Sequence, residues 1–143
     1  MASETYTTVS APIQYAAVRA FSGGDDIEDY LTRSRRVLRV LGNHLVTGLR
    51  SAGVQVPSPE GGFYLFCDFS GLKTSLASRG IHTATALCER ALEDVGVAFL
   101  PGSAFGMVDS VLTARMAYVD FDGRVALEHG DDDAAILKAC GRT

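Results

Sequence analysis

VAFLPGSAFG at residues 97–106 and TARMAYVDFDG at residues 113–123 decide the reading of this chain. Both contain apolar stretches with strand composition, and the loop between them is rich in Gly, Pro and Ser, which predicts two strands, 97–100 and 113–120, closing as a hairpin before a turn at 121–123. The second strand places one arginine, Arg115, between Ala114 and Met116. A guanidinium keeps its charge at ordinary pH, so an arginine buried in an apolar strand calls for an anion. On composition alone that anion is either an internal carboxylate, with Asp68 or Asp120 as candidates, or a ligand's.

Upstream of this stretch, Ala84, Leu87, Cys88, Ala91, Leu92 and Val95 fall on one helical stripe that Gly96 ends, predicting a helix over 82–95. Before it, FYLFCDF at 63–69 is a dense run of strand formers and reads as a central strand with both faces largely covered, closed by Asp68. Residues 70–80 are small and polar and read as a surface loop. Val54, Gln55 and Val56 could add a short strand.

From Asp26 a long helix is predicted, with Leu31, Ser34, Leu38, Leu41, Leu45, Gly48 and Ala52 as its apolar face and Gly53 as its stop. Gly42 and Gly48 mark candidate close-packing points. Its other side carries Arg33, Arg35, Arg36, Arg39 and Arg50, read as a solvated face answered by Asp25, Asp26, Glu28 and Asp29 rather than as a nucleic-acid surface. Ser10 and Pro12 open a shorter helix that Ser22, Gly23 and Gly24 break. At the other end, Val125 to Glu128 and a piece from Asp132 to Cys140 read as helical, with aspartates as N-caps. Helices around a few strands predict an α+β fold: a long N-terminal helix, then a small mixed β-sheet with helices packed on one face.

The chain has 143 residues, 47% hydrophobic and 21% charged, with a formal net charge of -4. These values fit one folded domain and argue against a general nucleic-acid binder. Cys67, Cys88 and Cys140 form no CxxC pair and read as reduced packing residues. His44, His82 and His129 read as surface or helix-end residues. No run approaches the length of a membrane span and no secretory leader is apparent, so a cytoplasmic location without membrane partners is expected.

PIQYAAVRAF, the long helix, PEGGFYLFCDFS, ALCERALEDVGVAFLPGSAFG and TARMAYVDFDG occur in collinear order over nearly the whole chain. Together they resemble the C-terminal, small-domain portion of class I/II aminotransferases, pyridoxal-phosphate enzymes of fold type I. The resemblance implies that residues 1–24 are a remnant of a large-domain helix, 25–53 a connecting helix and 54–143 the small α+β domain. It makes Arg115 the residue that holds a substrate's α-carboxylate, and amino acids and 2-oxo acids the ligands. Gly61 and Gly62 match a glycine pair near the family's substrate entrance, although a plain turn explains them equally. Pro101, Gly102, Ser103 and Phe105 match the loop at the mouth of the family's site, with turn formation as the competing reading for Ser103.

The family's Schiff-base lysine and phosphate cup belong to the large domain, and Lys73 and Lys138 sit in the wrong settings to replace them. The chain thus reads as a fragment shortened at both ends, without a bound cofactor and without transamination of its own. An alternative is a non-catalytic module that binds small carboxylates or docks on a partner. The missing large domain also predicts an apolar surface along residues 12–20 and the early long helix, able to self-associate.

Overall fold

A computed structural model describes residues 9–129 and 132–141. Asp131, the start of the segment ahead of Ser10, and the final Arg142 and Thr143 lie outside the described residues. Helix α1 spans Ala11–Phe21, with Pro12 in its first turn and Ser10 at the N-cap. The Ser10 hydroxyl makes no capping hydrogen bond; its carbonyl accepts from the Gln14 amide instead. Gly23 and Gly24 have φ of 70° and 123°, a region where a side chain is strained, and they separate α1 from helix α2, Asp25–Ser51.

The buried face of α2 overlaps the expected stripe only in part: Leu41 is buried and Leu38 and Leu45 pack against the core, as expected. Val37, Leu41, Gly42 and Val46 are buried, while Gly48 and Ala52 are exposed. The reason is what packs there: α5, Gly123–Glu128, and α6, Asp133–Cys140, lie against α2, and a Cβ built on Gly42 would stand 3.1 Å from both Pro59 Cγ and Tyr118 Oη. A glycine thus marks the closest approach, and Gly48 faces open space.

Strands β1 (Tyr64–Asp68), β2 (Leu100–Pro101) and β3 (Thr113–Ala117) form a sheet in the order β1-β3-β2. Helices against a small sheet make an α+β fold, as the sequence predicts. Both pairings are antiparallel rather than mixed. β1 and β2 do run in the same direction, joined through helix α4 (Ala84–Val95), but β3 inserts between them. That insertion moves β1 from the expected centre to an edge, touched on its free side by a single bridge between Gln55 and Asp68. Phe63 and Tyr64 accordingly remain 37% and 44% exposed.

Strand β2 is shorter than expected because only Leu100 and Pro101 find partners, opposite Arg115 and Ala114. Strand β3 ends at Ala117 rather than Asp120, while Tyr118 still donates its amide to the Phe63 carbonyl. Residues 70–80 are not a plain loop: a 3-10 turn at Ser70–Leu72 leads into helix α3, Lys73–Ala77. Gly123 begins α5 instead of a turn, because the Asp122 carboxylate accepts from the amides of Arg124 and Val125. Asp132 caps α6 in the same way.

The alternation in β1 sends Leu65 and Cys67 to one side, where they meet Ala114 of β3 and the buried residues Leu87, Cys88, Ala126, Ile136, Val37 and Val46. This is the core, to which α2, α4, α5 and α6 all contribute, while α1 buries none of its residues there. Burial pushes the Cys67 thiol up to about 11, which makes it a packing residue and not a nucleophile. The opposite sheet face carries Tyr64, Phe66, Leu100 and Arg115. Among the described residues no helix is long and apolar enough to cross a membrane.

Candidate functional site

Arg115 sits in the middle of β3, opposite Phe66 of β1 on one side and Leu100 of β2 on the other. Its position is half-buried rather than fully buried, because it projects on the face away from the core. Two rings hold the guanidinium. Its Cζ lies 4.3 Å from the Tyr64 centroid and 4.5 Å from the Phe105 centroid. Phe66 and Phe105 meet edge to face with centroids 6.1 Å apart, which fixes Phe105 against the sheet.

Each cation–π contact of this kind is worth about 0.5–1 kcal/mol at a partly exposed site. The ion pairs among the described residues join Arg19 to Asp26, Arg33 to Asp29, Arg36 to Asp133 and Arg90 to Asp94, and none includes Arg115. The internal partners open on composition, Asp68 and Asp120, are not ion-paired to it there. Asp68 instead accepts the Ser70 amide at 2.8 Å. The rings restrict the guanidinium's conformations while leaving its N–H donors free of carboxylate, an arrangement suited to gripping an oxyanion with parallel hydrogen bonds.

The loop that brings Phe105 over Arg115 is a 3-10 turn, Gly102–Phe105, capped by Gly106 at φ 85°. Gly102 is buried against Thr113 and leaves no room for a Cβ. Asp109 anchors the same loop to the start of α4: its carboxylate accepts from the Thr85 amide at 3.0 Å and the Thr85 hydroxyl at 2.9 Å, and its carbonyl accepts from the Ala84 amide. The Thr85 hydroxyl chiefly, with the hydroxyls of Ser103 and Thr83 adding, holds the Asp109 carboxyl below the usual carboxylate range.

The four site residues read from the sequence are thus placed unevenly. Phe105 touches Arg115, Ser103 contributes to lowering the Asp109 carboxyl, and Gly62 lies two residues before Tyr64 in an exposed turn at φ 70°. The Gly62 carbonyl accepts from Tyr118 Oη at 3.1 Å, which ties that turn to the end of β3. Sequence reasoning missed Tyr64 and Phe66. Their signal was present in the alternation of β1, since residues two apart share a face and both lie opposite or diagonal to Arg115. Asp109 carried no signal, lying in a short polar spacer.

A profile of the family described as aminotransferase class I and II matches residues 1–137. An aspartate/prephenate aminotransferase of Cereibacter sphaeroides is 38% identical over 112 residues, 76% of this chain and 26% of the relative. An aspartate aminotransferase of Pinus pinaster is 34% identical over 121 residues, 82% of this chain and 25% of the relative. The chain spans about a quarter of the length of the curated relatives it matches. Among solved structures, the aspartate aminotransferase of Rhizobium meliloti superposes with a TM-score of 0.59 at 29% identity, covering 96% of this chain and 33% of that one. That of Thermotoga maritima gives 0.53 at 27% identity, covering 95% and 30%.

Proposed function

This chain belongs to the class I and II aminotransferase family, and we propose that its full-length form moves an amino group between an amino acid and a 2-oxo acid, with Arg115 holding the substrate's α-carboxylate. The observation that carries this reading is the setting of Arg115: a permanent charge on a sheet face, stacked by Tyr64 and Phe105, and in no ion pair among the described residues. A carboxylate accepting two parallel N–H bonds from it would be fixed in both position and orientation, which is what a reaction at the adjacent carbon needs. Gly62 and the loop bearing Ser103 and Phe105 shape the rim of this site. On the same reading residues 1–24 derive from a large-domain helix, 25–53 connect, and 54–143 form the small domain.

The family implies pyridoxal phosphate in its full-length proteins, and covalent attachment of that cofactor takes a lysine amine. The residues here do not fit that role. Lys73 lies on α3 and Lys138 on α6, both exposed and neither on the strand face with Arg115. The contribution of this chain is therefore binding and orientation, and on its own it does not transaminate.

Calorimetric titration of the chain with L-aspartate and with a 2-oxo acid tests the anchor. Weak saturable heat that disappears in Arg115→Ala is expected. No heat in the wild type, or the same heat in the variant, overturns the reading; amino transfer by the chain with added pyridoxal phosphate overturns its inactivity. A second reading, a docking module, is favoured by α1, none of whose residues is buried and whose Phe21 is 92% exposed.

A further inference from the structure

Against the Gly61–Gly62 turn lies a cavity of about 330 Å³ lined by Arg35, Arg39 and Asn43 of α2, by Glu60, Gly61 and Gly62, and by Tyr118. Arg35 and Arg39 are four residues apart and so share one helix face. The other arginines of that helix are engaged: Arg33 with Asp29, Arg36 with Asp133, and Arg50 with the Val56 carbonyl. Among the described residues neither the Arg35 nor the Arg39 side chain takes part in a hydrogen bond or ion pair. Two unanswered guanidinium groups, an amide side chain and a glycine turn converge on one space, against a single carboxylate, that of Glu60, while the chain as a whole is acidic.

We propose that this cavity is a binding site for a small multivalent oxyanion, a phosphate or dicarboxylate group gripped by Arg35 and Arg39 and steadied by Asn43. The chemistry is that of planar donor forks meeting a planar or tetrahedral oxyanion. The cavity holds one such group and is too small for a nucleic-acid backbone to track through it. Glu60 opposes binding by like charge and sets the affinity lower than two arginines alone would give.

The site communicates with Arg115 by a short route. Gly62, which lines the cavity, accepts from Tyr118 through its carbonyl, and it leads through Phe63 to Tyr64, whose ring lies on the Arg115 guanidinium. A ligand seated against the turn therefore bears on the segment that positions that ring.

The test is a titration of the ¹⁵N-labelled chain with inorganic phosphate and, separately, with succinate, following backbone and arginine N–H resonances at constant ionic strength. Saturable shifts at Gly61, Gly62, Arg35 and Arg39 are expected. Each of Arg35→Ala and Arg39→Ala weakens binding about tenfold, Glu60→Gln tightens it, and Arg115→Ala leaves it in place. Response to phosphate alone or to succinate alone identifies which oxyanion fits. The proposal is overturned by shifts no larger than those from sodium chloride, an adventitious ion only, by binding indifferent to both arginines, or by Glu60→Gln weakening it. Shifts confined to Arg115 and its rings overturn this site while leaving the α-carboxylate reading intact. Unchanged melting curves for the arginine variants, which are on the surface, establish that the loss is one of binding.

Discussion

Replacing Gly102 with alanine puts the loop that carries Phe105 under direct strain. A Cβ there would overlap Thr113 Oγ1 and stand 3.1 Å from Thr113 Cβ and 3.3 Å from Met107 Sδ. The thioether can swing away, but Thr113 is on the central strand and only 3% exposed, so the loop must move instead. Overpacking of this kind costs about 1–3 kcal/mol. Alanine offsets roughly 0.4–1 kcal/mol of that by restricting the unfolded chain, leaving a net loss of up to about 2.6 kcal/mol, about 1.3 kcal/mol at the middle of both ranges. Urea unfolding of Gly102→Ala, Thr113→Ala and the double variant measures it. Thr113→Ala removes the overlapped oxygen, so the double variant should be more stable than the sum of the single losses by on the order of 1 kcal/mol. Strict additivity, or an unchanged midpoint for Gly102→Ala, would falsify the claim that close contact with Thr113 fixes this loop.

The depressed Asp109 carboxyl favours the folded state wherever it is ionised, so its contribution is complete above the ordinary aspartate value near pH 4 and fades as pH falls through the lower folded value. The stability gap between wild type and Asp109→Asn should therefore be present at pH 6 and shrink toward pH 2, and a gap that widens on acidification would show that another contact is responsible. The exposed Ile13, Val18 and Phe21 of α1 should drive self-association: sedimentation velocity is expected to show concentration-dependent assembly that Ile13→Asp with Val18→Asp removes, and a monomer at all concentrations would refute it.

Local chemistry was legible at both ends of α4, though not at Asp122, whose cap starts a helix where a turn is expected. Thr83 accepts from the Ala86 amide and Gly96 turns at φ 68°, so both ends of α4 stand close to where the sequence puts them. The face of α2 was legible only in part: Leu41, the partly buried Leu38 and Leu45, and the close approach at Gly42 were visible, but the shift onto Val37 and Val46 depends on Tyr118 and α6, both distant in sequence. Strand order escaped for the same reason: composition marks FYLFCDF as strand-forming but says nothing of which strand becomes its neighbour. For Arg115 the need for company was visible and the company was not, since Tyr64 and Phe105 arrive from two separate segments and answer with rings rather than a carboxylate.

The placing of β3 between two strands that precede it in the chain has a consequence for how the molecule comes into being. As the polypeptide leaves a ribosome, β1 and β2 emerge first, with no partner to share their backbone donors and acceptors, and the sheet can close only when Thr113–Ala117 arrives. Pairings so distant in sequence form slowly. The strand that carries Arg115 is thus the keystone: its arrival completes the sheet and presents the arginine in one event, so that a nascent chain has either both or neither.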